Sequence, residues 1–133
     1  MVDGVITYLN TDLDLVSADD LTELAGVFEA AEGHMGHVTH GENGLWYAMF
    51  EVWSELNEPE RHISLMLLVV ESLAPELRRV WDNCSLKEFN LGYDCGDEPW
   101  AFNQGLSAAL TGRMAAAQAS FRLTLYPDRE TKA

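Results

Sequence analysis

Residues 9–15 read Leu-Asn-Thr-Asp-Leu-Asp-Leu, and this alternation of apolar and polar side chains indicates the fold class. A period of two residues is typical of a strand with one face in the core and the other in water. We expect this strand to cover residues 5–15. Its predicted inward set is Leu9, Thr11, Leu13 and Leu15, and its outward set is Asn10, Asp12 and Asp14.

Local signals in the rest of the chain predict further strands and helices. Ser17 and Asp20 have the spacing of a helix capping box. The Asn43-Gly44 pair suits a tight hairpin turn between two apolar runs. The predicted elements are a helix over residues 18–32, strands over 34–40 and 45–53, a helix over 58–73, a short helix from Pro75, a strand over 86–95, a last helix, and a strand over 120–126.

This order predicts a single α+β domain over residues 1–127, followed by a polar tail over residues 128–133. The first six elements, β-α-β-β-α-β, are those of the ferredoxin-like arrangement, and an α-β unit follows them. In that arrangement helices cover one face of the sheet and leave the other open. In the helix over residues 58–73, the stretch from Ile63 to Val70 is apolar nearly all round after Ser64. It is therefore buried either against the sheet and the short helix or against a second copy of the chain.

Acidic residues dominate the first half of the chain. The 133 residues include 22 Asp or Glu and 8 Lys or Arg, which gives a formal net charge of −14. Residues 1–60 carry thirteen of these acids and no Lys or Arg, so this segment holds −13 of the charge. Nucleic acids and anionic membranes are disfavoured as partners because both bind clusters of Lys and Arg. The charge favours a basic protein partner.

The chain has no run of eighteen apolar residues and no basic start followed by an apolar segment. These patterns mark membrane spans and secretory signals, so we expect a cytoplasmic protein. Cys84 and Cys95 lack the spacing of redox or zinc sites, and we interpret both as reduced core residues. The chain also lacks a nucleophile elbow, a phosphate-binding loop and a dinucleotide fingerprint. No catalytic residue and no cofactor is therefore predicted.

Polar residues on the open sheet face are the first group of candidate binding residues. Asp12 and Asp14 share one strand face, and two carboxylates at this spacing can hold Mg²⁺ or Ca²⁺ or act as an acid and a base. The same alternation also arises on any solvated sheet face without a function. The candidates on this face are Asp12, Asp14, Glu88, Asn90, Asp94 and Arg122.

Histidine and tryptophan supply the remaining candidates. His34, His37 and His40 recur every third residue, and imidazole is a common metal ligand. On a strand, however, His37 points away from the other two, and these lie too far apart to bind one ion together. Trp53 and Trp100 stand at the ends of elements, where an indole either packs at the edge of the core or anchors a partner protein.

The closing segment contains Gly105-Leu106-Ser107 and, after the last helix, the run from Ala119 to Pro127, ASFRLTLYP. With these residues it resembles a family of uncharacterised bacterial α+β proteins. The first strand, the first helix and the hairpin strand with its Trp are compatible with the same family. The resemblance implies an α+β fold and a bacterial source, and it implies no catalytic residue.

Three functions follow from these observations. The first is a non-catalytic acidic binding protein, such as an immunity-like or regulatory antagonist of a basic partner. The second is binding of a divalent cation or a small polar ligand on the open face, with or without catalysis. The third is a structural homo-oligomer formed through the helix over residues 58–73.

Overall fold

A computed structural model describes residues 4–127 of the protein. The elements in this range are β1 (Thr7–Ser17), α1 (Thr22–Ala30), β2 (His34–His40), β3 (Trp46–Val52), α2 (Pro59–Glu71), α3 (Pro75–Asp82), β4 (Leu86–Asp94), α4 (Ala108–Ala116) and β5 (Ser120–Tyr126). The predicted order of strands and helices is confirmed, and the protein has a mixed α+β fold. The tail predicted over residues 128–133 lies outside the described residues.

The five strands form one sheet in the order β2-β3-β1-β4-β5. β1 pairs antiparallel with β3 on one side and with β4 on the other. β2 is antiparallel to β3, whereas β5 is parallel to β4. A parallel neighbour needs a crossover connection, and α4 provides it. β1 is therefore the central strand, and β2 and β5 are the edges.

A β-bulge in β1 moves Leu9 out of its predicted inward position. The pairing of β1 with β4 shifts by one residue between Tyr8 and Asn10, so the strand contains one extra residue there. Leu9 is exposed. Tyr8 points inward in its place, with its hydroxyl 2.8 Å from Nδ1 of His62 on α2. The prediction for Leu9 is wrong because the two-residue period is interrupted at the bulge.

Helix α1 begins at Thr22, four residues later than predicted. The hydroxyl of Ser17 accepts a hydrogen bond from the backbone N–H of Asp19 at 3.0 Å, and the carboxylate of Asp20 accepts one from Thr22 at 2.8 Å. Both side chains thus bond to an amide two residues ahead, which stabilises turns. The predicted capping box is therefore replaced by two successive turns.

The core lies between the helices and one face of the sheet. Phe28 of α1 stacks on Phe50 of β3 with 4.2 Å between the ring centroids. The buried apolar side chains of the sheet are Leu13, Leu15, Ala48, Phe50, Val52, Phe89, Leu91 and Tyr93. The opposite face carries no comparable apolar layer among the described residues, so the burial of apolar surface stabilises only the helical side.

Helix α2 is buried within its own chain. It packs against β1, β3, α1 and α4, while α3 packs against α1. The buried residues of α2 include Ile63, Met66, Leu67 and Val70. α2 has 13 residues, and no helix within residues 4–127 combines the length and the apolar composition needed to span a bilayer.

Two polar clamps attach α4 to α2. Near its start, Ser107 donates its backbone N–H and its hydroxyl to the carboxylate of Glu60, at 2.8 and 2.6 Å. Further along, Arg113 donates two hydrogen bonds to Glu71, at 2.8 and 2.9 Å, and a third to the hydroxyl of Ser64. When one residue donates two hydrogen bonds to the same carboxylate, both the distance between the two groups and their relative orientation are fixed. The clamps therefore set the position of the α4–β5 unit.

We expect Trp81→Phe to destabilise the protein. Trp81 is fully buried, and its indole N–H donates to the carbonyl of Ala117 at 2.8 Å, which joins α3 to the end of α4. The substitution leaves a buried carbonyl without its donor and opens a small cavity. The free energy of unfolding should fall by about 2 kcal/mol in urea titrations.

Trp53→Phe provides the matched control, because Trp53 is 68% exposed. Its effect should stay within about 0.5 kcal/mol, as is usual for surface positions. Equal losses in the two variants would contradict the assigned role of Trp81.

Candidate functional site

The sheet face that points away from the helices carries a group of polar side chains. These residues come from four neighbouring strands, and we call the group the polar face. It consists of Asn10, Asp12, Asp14, Glu51, Glu88, Asn90, Arg122 and Thr124.

Strand register brings these side chains together. Asp12 lies opposite Asn90, and Asn90 lies opposite Arg122 on the next strand. Asp14 lies opposite Glu88 in the adjacent row. Residues opposite each other in a sheet share a face, with their Cβ atoms about 5 Å apart. The predicted candidates Asp12, Asp14, Glu88, Asn90 and Arg122 thus occupy one continuous surface.

The carboxamide of Asn10 connects two of the carboxyl groups. Its Nδ2 donates to Oδ1 of Asp12 at 2.8 Å and to Oε2 of Glu51 at 3.1 Å. Asn10 therefore orients both groups without supplying a positive charge. Neither contact neutralises an ionised carboxylate.

Arg122 supplies the positive charge on the polar face. Its Nε donates to Oε1 of Glu88 at 2.8 Å. The hydroxyl of Thr124 donates to Oδ1 of Asn90 at 2.6 Å. Four carboxyl groups thus share a surface with one guanidinium, and the charges do not balance when all of them are ionised.

The pKa of both aspartates on the polar face is raised. Partial burial, reinforced by Asp14 and then Glu51, raises the pKa of Asp12 to about 6. Burial and the charge of Glu88 likewise raise the pKa of Asp14, and Arg122 partly opposes this. Hydrogen bonding to Glu88 raises the pKa of Arg122. The centre of the polar face therefore holds negative charge at an energetic cost.

The remaining polar and aromatic candidates lie apart from this group. Asp94 is at the far end of β4, opposite Thr7, and makes no side-chain hydrogen bond to the polar face. Trp53 follows the end of β3 and lines a hollow beside Glu32 and Arg61. Trp100 is 98% exposed in the segment between β4 and α4.

The three histidines do not converge. Nδ1 of His34 lies 2.9 Å from the carbonyl of Glu32, and Nε2 of His37 lies 3.1 Å from the hydroxyl of Thr39. The ring of His40 stacks on Trp46 with 4.1 Å between the centroids. Within residues 4–127, no group of three or more His, Cys, Asp or Glu side chains is placed to hold a metal ion.

Both cysteines are free thiols. Cys84 is buried, and its Sγ lies 3.4 Å from the carbonyl of Val80. Burial raises the pKa of this thiol, which keeps it protonated and unreactive. Cys95 is partly buried at the end of β4.

Glu51 and Thr124 belong to the polar face, although the sequence pattern did not predict them there. Glu51 ends a run in which Tyr47 and Met49 share its face, so this face of β3 is mainly apolar in the sequence pattern. Leu13 lies opposite Phe50 in the antiparallel pair of β1 and β3, and this register brings Glu51 beside Asp12. The alternation of Glu51 with Phe50 and Val52 indicates that Glu51 points away from the core. To place Glu51 beside Asp12, however, one must also know that β3 borders β1.

We expect Asp12→Asn to stabilise the protein at neutral pH. The pKa of Asp12 is about 6 in the folded protein and about 3.9 in an unfolded chain. Between these two pKa values, Asp12 is protonated in the folded protein and ionised in the unfolded chain. At a pH above both pKa values, the ionised carboxylate destabilises the fold. Because the group is half exposed, the gain at pH 7 should be about 1 kcal/mol. It should shrink as the pH falls through 6 and vanish near pH 4.

Urea unfolding of the wild type and the variant at several pH values measures this difference. Burial lowers the pKa of His62, so protonation of this residue destabilises the fold as the pH falls. This contribution is the same in both proteins, and it cancels when the wild-type free energy of unfolding is subtracted from that of the variant. Asp20→Asn is the control, because hydrogen bonds from Thr22 lower the pKa of Asp20 and its ionised form is favoured. An Asp12→Asn variant no more stable than Asp20→Asn at pH 7 would rule out this account.

In comparisons with protein-family models, curated proteins and solved structures, none matches this chain.

Proposed function

We propose that the protein is a non-catalytic binding protein that holds a basic protein partner on its polar face. It would act as an immunity-like or regulatory antagonist. The observation that carries the proposal is the unbalanced charge at the centre of the sheet, where Asp12, Asp14, Glu51 and Glu88 are accompanied by Arg122.

A Lys or Arg side chain from a partner would relieve this imbalance. Partial burial, with a smaller contribution from the charges of Asp14 and Glu51, raises the pKa of Asp12, and a nearby cation would favour its ionised form. The free energy stored in the isolated protein would then be recovered on binding. Acidic proteins would be repelled by the same surface.

Apolar side chains beside the carboxylates supply the rest of a binding surface. Met35, Tyr47 and Met49 are exposed on the same side of β2 and β3. Methionine and tyrosine are favoured at protein interfaces because they pack closely and adapt their shape. The polar face and this apolar margin together match a partner with Lys or Arg beside an apolar patch.

The strand order supports a ferredoxin-like arrangement for the first part of the chain. β3 lies between β1 and β2, and β1 lies between β3 and β4. Such a sheet keeps one face free for binding. Membership of the family of uncharacterised bacterial α+β proteins and a cytoplasmic location belong to the same proposal.

The test compares two triple variants with the same net charge. One removes acids of the polar face, as Asp12→Asn, Asp14→Asn and Glu51→Gln. The other removes three exposed acids in the turn before α1 and in α1 itself, as Asp19→Asn, Glu23→Gln and Glu29→Gln. The probe is a fluorescent Lys- and Arg-rich peptide, and its affinity is measured by anisotropy at two salt concentrations.

The polar-face variant should bind the peptide at least about tenfold more weakly than the control variant. Added salt should weaken binding to the wild type, because exposed charges are screened. Equal losses in the two variants would mean that binding follows net charge alone, which would refute the assignment of the polar face.

The alternative occupant is a divalent cation or a small polar ligand. Its signature would be a rise in melting temperature with Mg²⁺ or Ca²⁺ that Asp12→Asn with Asp14→Asn abolishes. The rise in melting temperature of the wild type with the metal alone therefore separates a cation from a protein partner.

A further inference from the structure

The outer edge of β5 is unpaired within residues 4–127. β5 ends the sheet, and its opposite neighbour is β4. On its helical side, Phe121 is 56%, Leu123 48% and Leu125 55% exposed. An apolar edge strand of this kind is a template for pairing with another strand. The other edge, β2, carries three His and a Gly instead.

The pleat of β5 determines which backbone groups are free. The carbonyl of Tyr126 accepts from the N–H of Cys95, so the backbone groups of Tyr126 point toward β4. Successive residues of a strand direct these groups to alternate sides. The N–H and C=O groups of Phe121, Leu123 and Leu125 therefore point outward. The residues with free backbone groups are the same three that carry the exposed apolar side chains.

Charge singles out this part of the molecule. Residues 99–127 contain no Asp or Glu, although the chain as a whole carries −14. Two copies of so acidic a protein repel each other over most of their surfaces. The repulsion is weakest where no acid is present, and this region includes β5, Trp100 and Phe102.

The sequence of β5 is self-complementary in one antiparallel register. A two-fold axis at Leu123 places Leu123 opposite Leu123 of the partner subunit and Phe121 opposite Leu125 of the partner subunit. It also places Arg122 opposite Thr124 of the partner subunit, so no like charges face each other directly. A register centred one residue earlier would set Arg122 against its own copy.

We propose that a second copy of this chain covers the β5 edge, forming a symmetric dimer with a continuous ten-stranded sheet. The outward N–H and C=O groups of the three apolar residues then pair across the axis, as in a closely spaced antiparallel pair. The axis is perpendicular to the sheet, because apolar side chains must meet on one face. Both polar faces therefore lie on the same side of the dimer, with their Asp12 residues five strand spacings apart, roughly 24 Å.

This interface differs from the one predicted at residues 58–73. The apolar side chains of α2 are buried in the chain's own core, and Leu68 is the large apolar residue of α2 that is exposed, at 52%. Leu68 therefore supplies a control position. It matches Leu123 in residue type and in exposure.

Sedimentation velocity over a concentration series tests the assembly. The wild type should form a dimer that strengthens with added salt, because salt screens the repulsion between two acidic chains. Leu123→Lys should be monomeric, and Leu68→Lys should remain a dimer. A wild type that stays monomeric, as expected if another protein covers the edge, overturns the proposal. So does a dimer that Leu68→Lys dissolves and Leu123→Lys does not.

Cysteine crosslinking tests the register, and it does not depend on the folding of Leu123→Lys. In a Cys95→Ser background, Leu123→Cys should form an intermolecular disulfide on mild oxidation, because Cα atoms in such a pair lie about 5.5 Å apart. Phe121→Cys should not, since its copy lies four residues away along the strands. Mixed Phe121→Cys and Leu125→Cys chains should crosslink with each other. Crosslinking of Phe121→Cys as efficient as that of Leu123→Cys would refute the register.

The dimer and the proposed function can fail independently. Salt strengthens the dimer and weakens the binding of a basic peptide, so the two equilibria respond in opposite directions. A monomer that still binds the peptide through the polar face would overturn the dimer alone.

Discussion

β1 is paired along both of its edges, and this constraint determines the arrangement of the rest of the molecule. Its two-residue period places Leu13 and Leu15 in the core and leaves Asp12 and Asp14 on the opposite face. A slip of one residue would bury both carboxyl groups under the helices, so the register is strongly specified. The neighbouring strands align to β1, and they bring Glu88 and Glu51 beside the two aspartates. One apolar pattern thus creates both the core and the polar face.

The acids of this protein fall into two physical classes. Glu60 and Glu71 accept hydrogen bonds that attach α4, and Asp20 stabilises the turn before α1. At Glu60 and Asp20 these hydrogen bonds lower the pKa of the carboxyl group, so the ionised form is the one that stabilises the fold. Asp12 and Asp14 instead lower stability when ionised, because both are partly buried and lie close to other carboxylates, and Arg122 only partly offsets this at Asp14. The same residue type therefore has opposite effects on stability at the helix ends and on the polar face.

Much of the fold follows from local patterns, and the misses have identifiable causes. Alternation and helical spacing predict the order of elements because each pattern extends over several residues. The start of α1 is misplaced because Ser17 and Asp20 stabilise turns as readily as helix caps. The predicted inward position of Leu9 is wrong because the alternation of apolar and polar residues does not indicate where a β-bulge occurs. Glu51 is missed because membership of the polar face depends on strand order, which a single strand does not encode.

The α4–β5 unit contributes little to the core relative to its length. Leu110, Met114 and Ala117 are its buried apolar residues, and β5 has none. Its attachment relies on strand pairing with β4 and on the clamps at Glu60 and Glu71. Such a unit opens at a lower free energy than the centre of the sheet, so its amide protons should exchange first. The pairing of β5 with β4 would then open more often than the centre of the sheet, and a second copy paired to β5 would slow that opening.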